Sequence, residues 1–273
     1  LAGYTGFQPT FFFVAASILA VTLFVVLPMR EPEAPARAAL AEGVSRLRAA
    51  GREMRAFSVD AFRAFLDTRG ACLGLLFALL PSGAMCLGLA LQTNLAVELG
   101  LDDNQVALLA LWTNVISAAF MVVGGWLSDR YGHRRTLALY IASMSLPVIY
   151  LMLVLQQYGG IFPVNPTDPN STVPAAALVT ALWIATLTYA IGQGLMYGTR
   201  SAIFMNVTNP RVAATQFTAY MALLNLNIAY SAAWQGIASE TLGYPKTLLI
   251  DAVLGVACLA LAWVVRKQLQ IGI

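Results

Sequence analysis

The chain has 273 residues, of which 59% are hydrophobic and 11% charged, with a formal net charge of +3 and a mean hydropathy of +0.72. A soluble domain is about 25% charged and hides its apolar residues in one or two cores, so these proportions exclude one. They place the chain in the membrane class, and membrane topology accounts for the positive balance without nucleic acid.

In chain order, apolar blocks of about 20 residues, the length that crosses hydrocarbon at about 1.5 Å per residue, cover approximately 9–29, 72–94, 105–127, 136–156, 175–198, 212–233 and 246–266. The expected fold class is therefore all-α, a polytopic membrane protein with seven transmembrane helices. Residues 1–29 read as the last helix of an N-terminal bundle, because the chain starts at Leu1 and its first apolar run lacks a basic n-region. The remainder of that bundle is expected upstream. Residues 30–71 open with Pro32 and Pro35 and then become rich in Ala, Arg, Leu and Glu, a helical composition. Val44, Leu47, Met54, Phe57, Phe62, Phe65 and Leu66 would anchor this cytoplasmic, amphipathic linker to the inner leaflet, with Gly43 and Gly51 dividing it; a solvated tether is the alternative. Residues 72–267 are expected to form a six-helix bundle and 268–273 a cytoplasmic tail.

Basic residues collect in cytoplasmic segments. Alternating from an inner 30–71 puts Arg30, Arg37, Arg46, Arg48, Arg52, Arg55, Arg63, Arg69, Arg130, Arg134, Arg135, Arg200, Arg211, Arg266 and Lys267 inside. Only Lys246 falls outside, so 30–71, 128–135, 199–211 and the C-terminus are expected to be cytoplasmic. Cys72, Cys86 and Cys258 all fall in apolar blocks, where thiols act as small packing residues. No metal site, cofactor or catalytic residue is expected, and nucleotide-binding loops and nucleophile elbows are absent.

The densest charge cluster is "GGWLSDRYGHRRT", Gly124 to Thr136. Gly125 suits close helix approach, Asp129 suits a helix N-terminus, Gly132 suits a turn, and Arg134 and Arg135 suit the headgroup level. Gly125, Asp129, Arg130, Gly132, Arg134 and Arg135 together resemble the G-x-x-x-D-R-x-G-R-R signature of the major facilitator superfamily, departing from it at His133. The resemblance implies a gate in which Asp129 and Arg130 lock two bundles on the cytoplasmic side. It also implies that the chain is helix 6 plus the C-terminal six-helix bundle of a twelve-helix fold, working by alternating access.

Polar side chains within spans mark a wet path. They concentrate in the second, third, fifth and sixth blocks: Gln92; Asn114; Gln193 and Tyr197; and Gln216, Tyr220, Asn225 and Asn227. These eight are the candidate solute-cavity residues. The fourth and seventh blocks are almost purely apolar, and Asp251 falls in a span expected to face lipid, unpromising as a proton carrier. In the superfamily the helices corresponding to the polar blocks line the cavity. "NPRVAATQFTAYMALLNL", through Ala214, Thr215, Gln216 and Phe217, further resembles the AmpG-type muropeptide permeases, which implies proton-coupled import of muropeptide or a similar polar solute across a bacterial inner membrane. The partners implied are a small polar solute, protons and membrane lipids. Alternatives are a siderophore or other small-solute carrier, or a non-transporting receptor or assembly factor of the same fold.

Overall fold

The computed structural model describes residues 7–28, 46–159 and 176–271, and every regular element among them is helical. Residues 1–6, 29–45, 160–175 and 272–273 lie outside the described residues, and with them the first part of the expected linker. The chain divides into two units, Leu1–Arg55 and Ala56–Ile273.

In the first unit, α1 (Phe7–Val21) runs into a π-helical turn at Thr22–Val26, closed by the Leu27 N–H on the Thr22 carbonyl at 2.9 Å. Phe11, Phe12, Ile18 and Phe24 are exposed on different sides of it. A helix that is apolar all round needs lipid or protein as its solvent. Its two hydroxyls satisfy themselves, Ser17 on the Phe13 carbonyl and Thr22 on that of Ile18. The second helix, α2 (Arg46–Ala64), continues through Gly51 without interruption, so this glycine does not divide the linker as expected. Met54, Phe62 and Leu66 are exposed, whereas Ala61 and Ala64 pack against Val212.

The second unit continues with α3 (Arg69–Leu79), α4 (Ala90–Glu98), α5 (Asp103–Tyr131), α6 (His133–Gln157), α7 (Ala176–Val207), α8 (Ala213–Leu242) and α9 (Tyr244–Ile271). Their ends follow local chemistry. Asp102 accepts from the Gln105 N–H at 2.7 Å while Gln105 accepts from the Asp102 N–H at 3.1 Å, a capping box that starts α5. Gly132 alone separates α5 from α6, at a φ of +92° that favours glycine. Asp103–Tyr131, His133–Gln157, Ala176–Val207 and Tyr244–Leu261 are long and apolar enough to cross a membrane. The protein is a multi-pass membrane protein. The helix α8, of 30 residues, is long enough at about 45 Å but differs in its many amides and hydroxyls.

One boundary differs consequentially from expectation. The fifth apolar block was expected to end at 198, with Arg200 in an inner loop, but α7 runs on to Val207 and Arg200 lies inside it. Ile203, Phe204 and Val207 continue the apolar face beyond Arg200, so the helix does not stop at its first charge.

Small residues set the seams, as expected where lipid removes the hydrophobic drive between helices. A Cβ on Gly124 of α5 would lie 2.5 Å from the Leu195 Cα of α7, and one on Gly198 would lie 3.1 Å from the Gly125 nitrogen. A Cβ on Gly194 would lie 3.0 Å from the Ser117 Cα. Thr199 adds a hydrogen bond from its Oγ1 to the Gly124 carbonyl at 3.3 Å. Gly125 is also approached through its backbone nitrogen by Gly198, but a Cβ placed on Gly125 would meet no described atom of another element within 4 Å, so the position that cannot take a side chain is Gly124. Matching positions increase together along α5 and α7, so these helices run parallel.

The start of α3, the α5–α6 hairpin, the end of α7 and the start of α8 share one end of the unit. Val207 lies beside Gly70 and Gly74, the Tyr220 hydroxyl donates to the Ala71 carbonyl at 3.0 Å, and Tyr131 to Arg135 adjoin Ile203 and Asn206. Tyr220 stacks on Phe204 there and meets Phe65 edge to face, with centroids 5.0 and 5.3 Å apart. At the opposite end the Tyr244 hydroxyl donates to Glu98 at 2.7 Å.

Candidate functional site

Between α3 and α4 the chain leaves the helix for residues 80–89, apart from a short 3₁₀ turn at Cys86–Gly88. Pro81 forces this: it has no N–H, and it pushes Leu80 to an extended ψ of 143°. Gly83 then takes a φ of +102°. Gly83→Ala should cost about 1–3 kcal/mol through the forced positive φ, read as a lower melting temperature of the solubilised protein; an unchanged value would show that the break relaxes freely.

The break frees backbone groups that α8 and α9 satisfy. Asn227 donates from Nδ2 to the Leu80 carbonyl at 2.7 Å, and the Tyr230 hydroxyl donates to that of Leu79. Asp251 Oδ2 accepts from the Met85 and Cys86 N–H groups at 2.7 and 3.0 Å, while Oδ1 accepts from Gln235 Nε2 at 2.9 Å. One turn further along α9, a Cβ on Gly255 would lie 2.5 Å from the Gly83 carbonyl carbon. The expectation that Asp251 faces lipid is therefore corrected: its residue is 3% exposed, aimed at the break. A carboxylate in an apolar helix is retained because it caps two stranded donors.

The expected cavity residues divide. Gln216, Tyr220 and Asn227 are buried in helix seams, with their polar atoms engaged by backbone and one another. Gln216 accepts from the Asn209 N–H at 2.7 Å and donates to the Ala64 carbonyl at 3.0 Å and the Tyr220 hydroxyl at 3.2 Å. Asn225 is exposed, and so is Asn114, whose Nδ2 donates within its own helix to the Ala110 carbonyl at 2.9 Å. Gln92 is half-buried on α4. Gln193 and Tyr197 share one face of α7, linked by a 3.4 Å hydrogen bond from Nε2 to the hydroxyl. A Cβ on Gly88 would lie 2.6 Å from Gln193 Nε2 and 3.1 Å from the Tyr189 hydroxyl, so this face lies against the break. Arg200 completes it, with Cζ 4.6 Å from the Tyr197 ring centroid. Sequence reasoning missed Arg200 because a basic residue at the edge of an apolar block reads as a loop.

In the charged hairpin, Ser128 Oγ donates to the Gly125 carbonyl at 2.8 Å and lies 3.1 Å from His133 Nδ1. His133 Nε2 lies 3.8 Å from the Asp129 carboxylate, so the residue that departs from the signature ties both Ser128 and Asp129 into the turn. Arg130 lies over Trp126, 5.9 Å from the ring centroid. Asp129, Arg130, Arg134 and Arg135 are exposed, and a hollow of about 420 Å³ opens between the hairpin and Ile203, Asn206 and Val207 of α7.

The model of the Major Facilitator Superfamily matches residues 1–232. The chain belongs to the Major Facilitator Superfamily. No curated protein and no solved structure matches it. Major facilitator proteins are transporters rather than enzymes. In this major facilitator chain, no group of three or more potential metal ligands occurs among the described residues.

Proposed function

We propose that the chain is helix 6, the linker and the C-terminal six-helix bundle of a twelve-helix secondary carrier, crossing the membrane seven times and moving a small polar solute by alternating access. The segments 30–71, 128–135 and 208–212 and the C-terminus are cytoplasmic in this reading, and the membrane is a bacterial inner membrane. Gly125, Asp129, Arg130, Gly132, Arg134 and Arg135 form the hinge side of the cytoplasmic gate. The observation that carries the reading is the interrupted helix at 80–89, held from α8 and α9 and lying against the polar face of α7. Non-helical backbone at membrane depth is tolerated where protein buries it or where it borders a wet cavity.

Protons are the proposed drive. Asp251 is committed to the break, so the coupling group belongs to the other bundle. The muropeptide version stands on Ala214 to Phe217, whose Gln216 has a packing role at a helix end, so the proposal stays at a small polar solute. The test is uptake of labelled polar solutes, anhydromuropeptide among them, by vesicles containing the full-length protein. Gradient-dependent accumulation is expected, and none above protein-free vesicles for the whole panel overturns the reading.

The two exposed asparagines provide a second check. With Cys72, Cys86 and Cys258 replaced, Asn114→Cys and Asn225→Cys should react with a membrane-impermeant maleimide at rates comparable to a loop cysteine. Protection of both would put them among acyl chains.

A further inference from the structure

We infer that Arg200 is an anion-binding group, and that the solute of the proposed carrier bears a carboxylate or phosphate. The second half rests on the carrier reading; the first does not. Arg200 is 9% exposed, inside α7 and within the bundle. A guanidinium carries five N–H donors in a planar fork, yet among the described residues no carboxylate pairs with it; its partner is Tyr197, through a hydrogen bond to the hydroxyl and a ring centroid 4.6 Å from Cζ. Carboxylates that a membrane bundle would use to neutralise it are engaged elsewhere: Asp251 on the break, Glu98 with Tyr244, Asp129 with His133. A buried charge without a counter-charge is expensive, and stacking on an aromatic face recovers only part of that.

The surroundings suit a ligand better than a packing role. Tyr189, Gln193, Tyr197 and Arg200 fall on successive turns of one helix face, so an aromatic hydroxyl, an amide and a guanidinium follow one another from the break toward the hairpin end. Gly88 packs closely on Gln193 and Tyr189, which fixes the break-side end of this face. The guanidinium fork matches carboxylate and phosphate oxygens in a bidentate way that an ammonium cannot. The donors that Tyr197 does not engage thus define the missing partner as an oxyanion that arrives and leaves.

The experiment uses the full-length protein in detergent, with melting temperature as the readout and inorganic phosphate, N-acetylmuramate and its uncharged parent N-acetylglucosamine as probes. Arg200→Met should raise the ligand-free melting temperature by about 2 °C or more, because an unpaired charge is removed. In the wild type at least one anion should raise it, the uncharged sugar should not, and Arg200→Met should abolish the response while Arg200→Lys weakens it. A fall in the ligand-free value for Arg200→Met, equal responses to acid and uncharged probes, or no response to any anion overturns the inference. A repeat in nanodiscs with and without phosphatidylglycerol separates sources: stabilisation by that lipid alone makes the anion a headgroup and overturns the solute half. If the anion response holds but vesicles accumulate nothing, the carrier reading fails and the anion site stands.

Discussion

Asp251→Leu is expected to destabilise the folded bundle by about 4 kcal/mol, whereas Asp251→Asn should stay within about 1 kcal/mol of wild type. Leucine matches the apolar character of α9 and would suit a lipid-facing position. At the buried site it strands the Met85 and Cys86 N–H groups and the Gln235 amide, and each buried donor left unsatisfied costs about 1–3 kcal/mol. Asparagine keeps one oxygen for the two N–H groups. Its own amide can then donate to Gln235 Oε1, which has no hydrogen-bond partner among the described residues. Denaturant titration of the solubilised protein, with tryptic cleavage as a second readout, checks both. Equal stability of the leucine and asparagine forms would show that the carboxylate does not hold the break.

The second large effect is expected at the α5–α7 seam. Gly124→Leu should destabilise by about 3 kcal/mol, the upper part of the overpacking range, while Gly125→Leu should change stability by about 0.5 kcal/mol at most. Backbone of Leu195 occupies the space a Cβ at Gly124 would need, and no flexible side chain can yield there. At Gly125 that space is open. The two neighbours are indistinguishable in a motif and opposite in the fold. Melting temperatures of the pair decide it, and a larger loss at Gly125 would reverse the assignment of the seam.

Much of the helical layout was legible because its signals are local. The expected blocks at 105–127 and 136–156 sit inside α5 and α6, that at 175–198 overlaps α7 from Ala176, and the Asp102 and Gln105 pair and Gly132 mark ends by chemistry visible within four residues. Pro81 and Gly83 likewise announce a break. The partners of that break were not legible. Asp251 and Asn227 lie 166 and 147 positions from the groups they satisfy, and no periodicity encodes such a pairing. For the same reason the polar side chains of α8 read as cavity lining. An amide that faces water and one that holds a distant carbonyl look alike in sequence, and only burial separates Gln216 and Asn227 from Asn225. Arg200 failed differently, since a charge ended the apolar block while the helix continued.

The placement of the interruption early in the chain and its fasteners late has a consequence for biogenesis. Met85 leaves the ribosome 166 residues ahead of Asp251, which at about 5–20 residues per second is an interval of roughly 8–33 s. Throughout that interval the nascent segment carries bare amides that acyl chains cannot solvate. The insertion machinery or a trapped water must shelter it until translation delivers the final two helices, so a product cut short before Asp251 leaves those amides permanently exposed, and its fate is proteolysis.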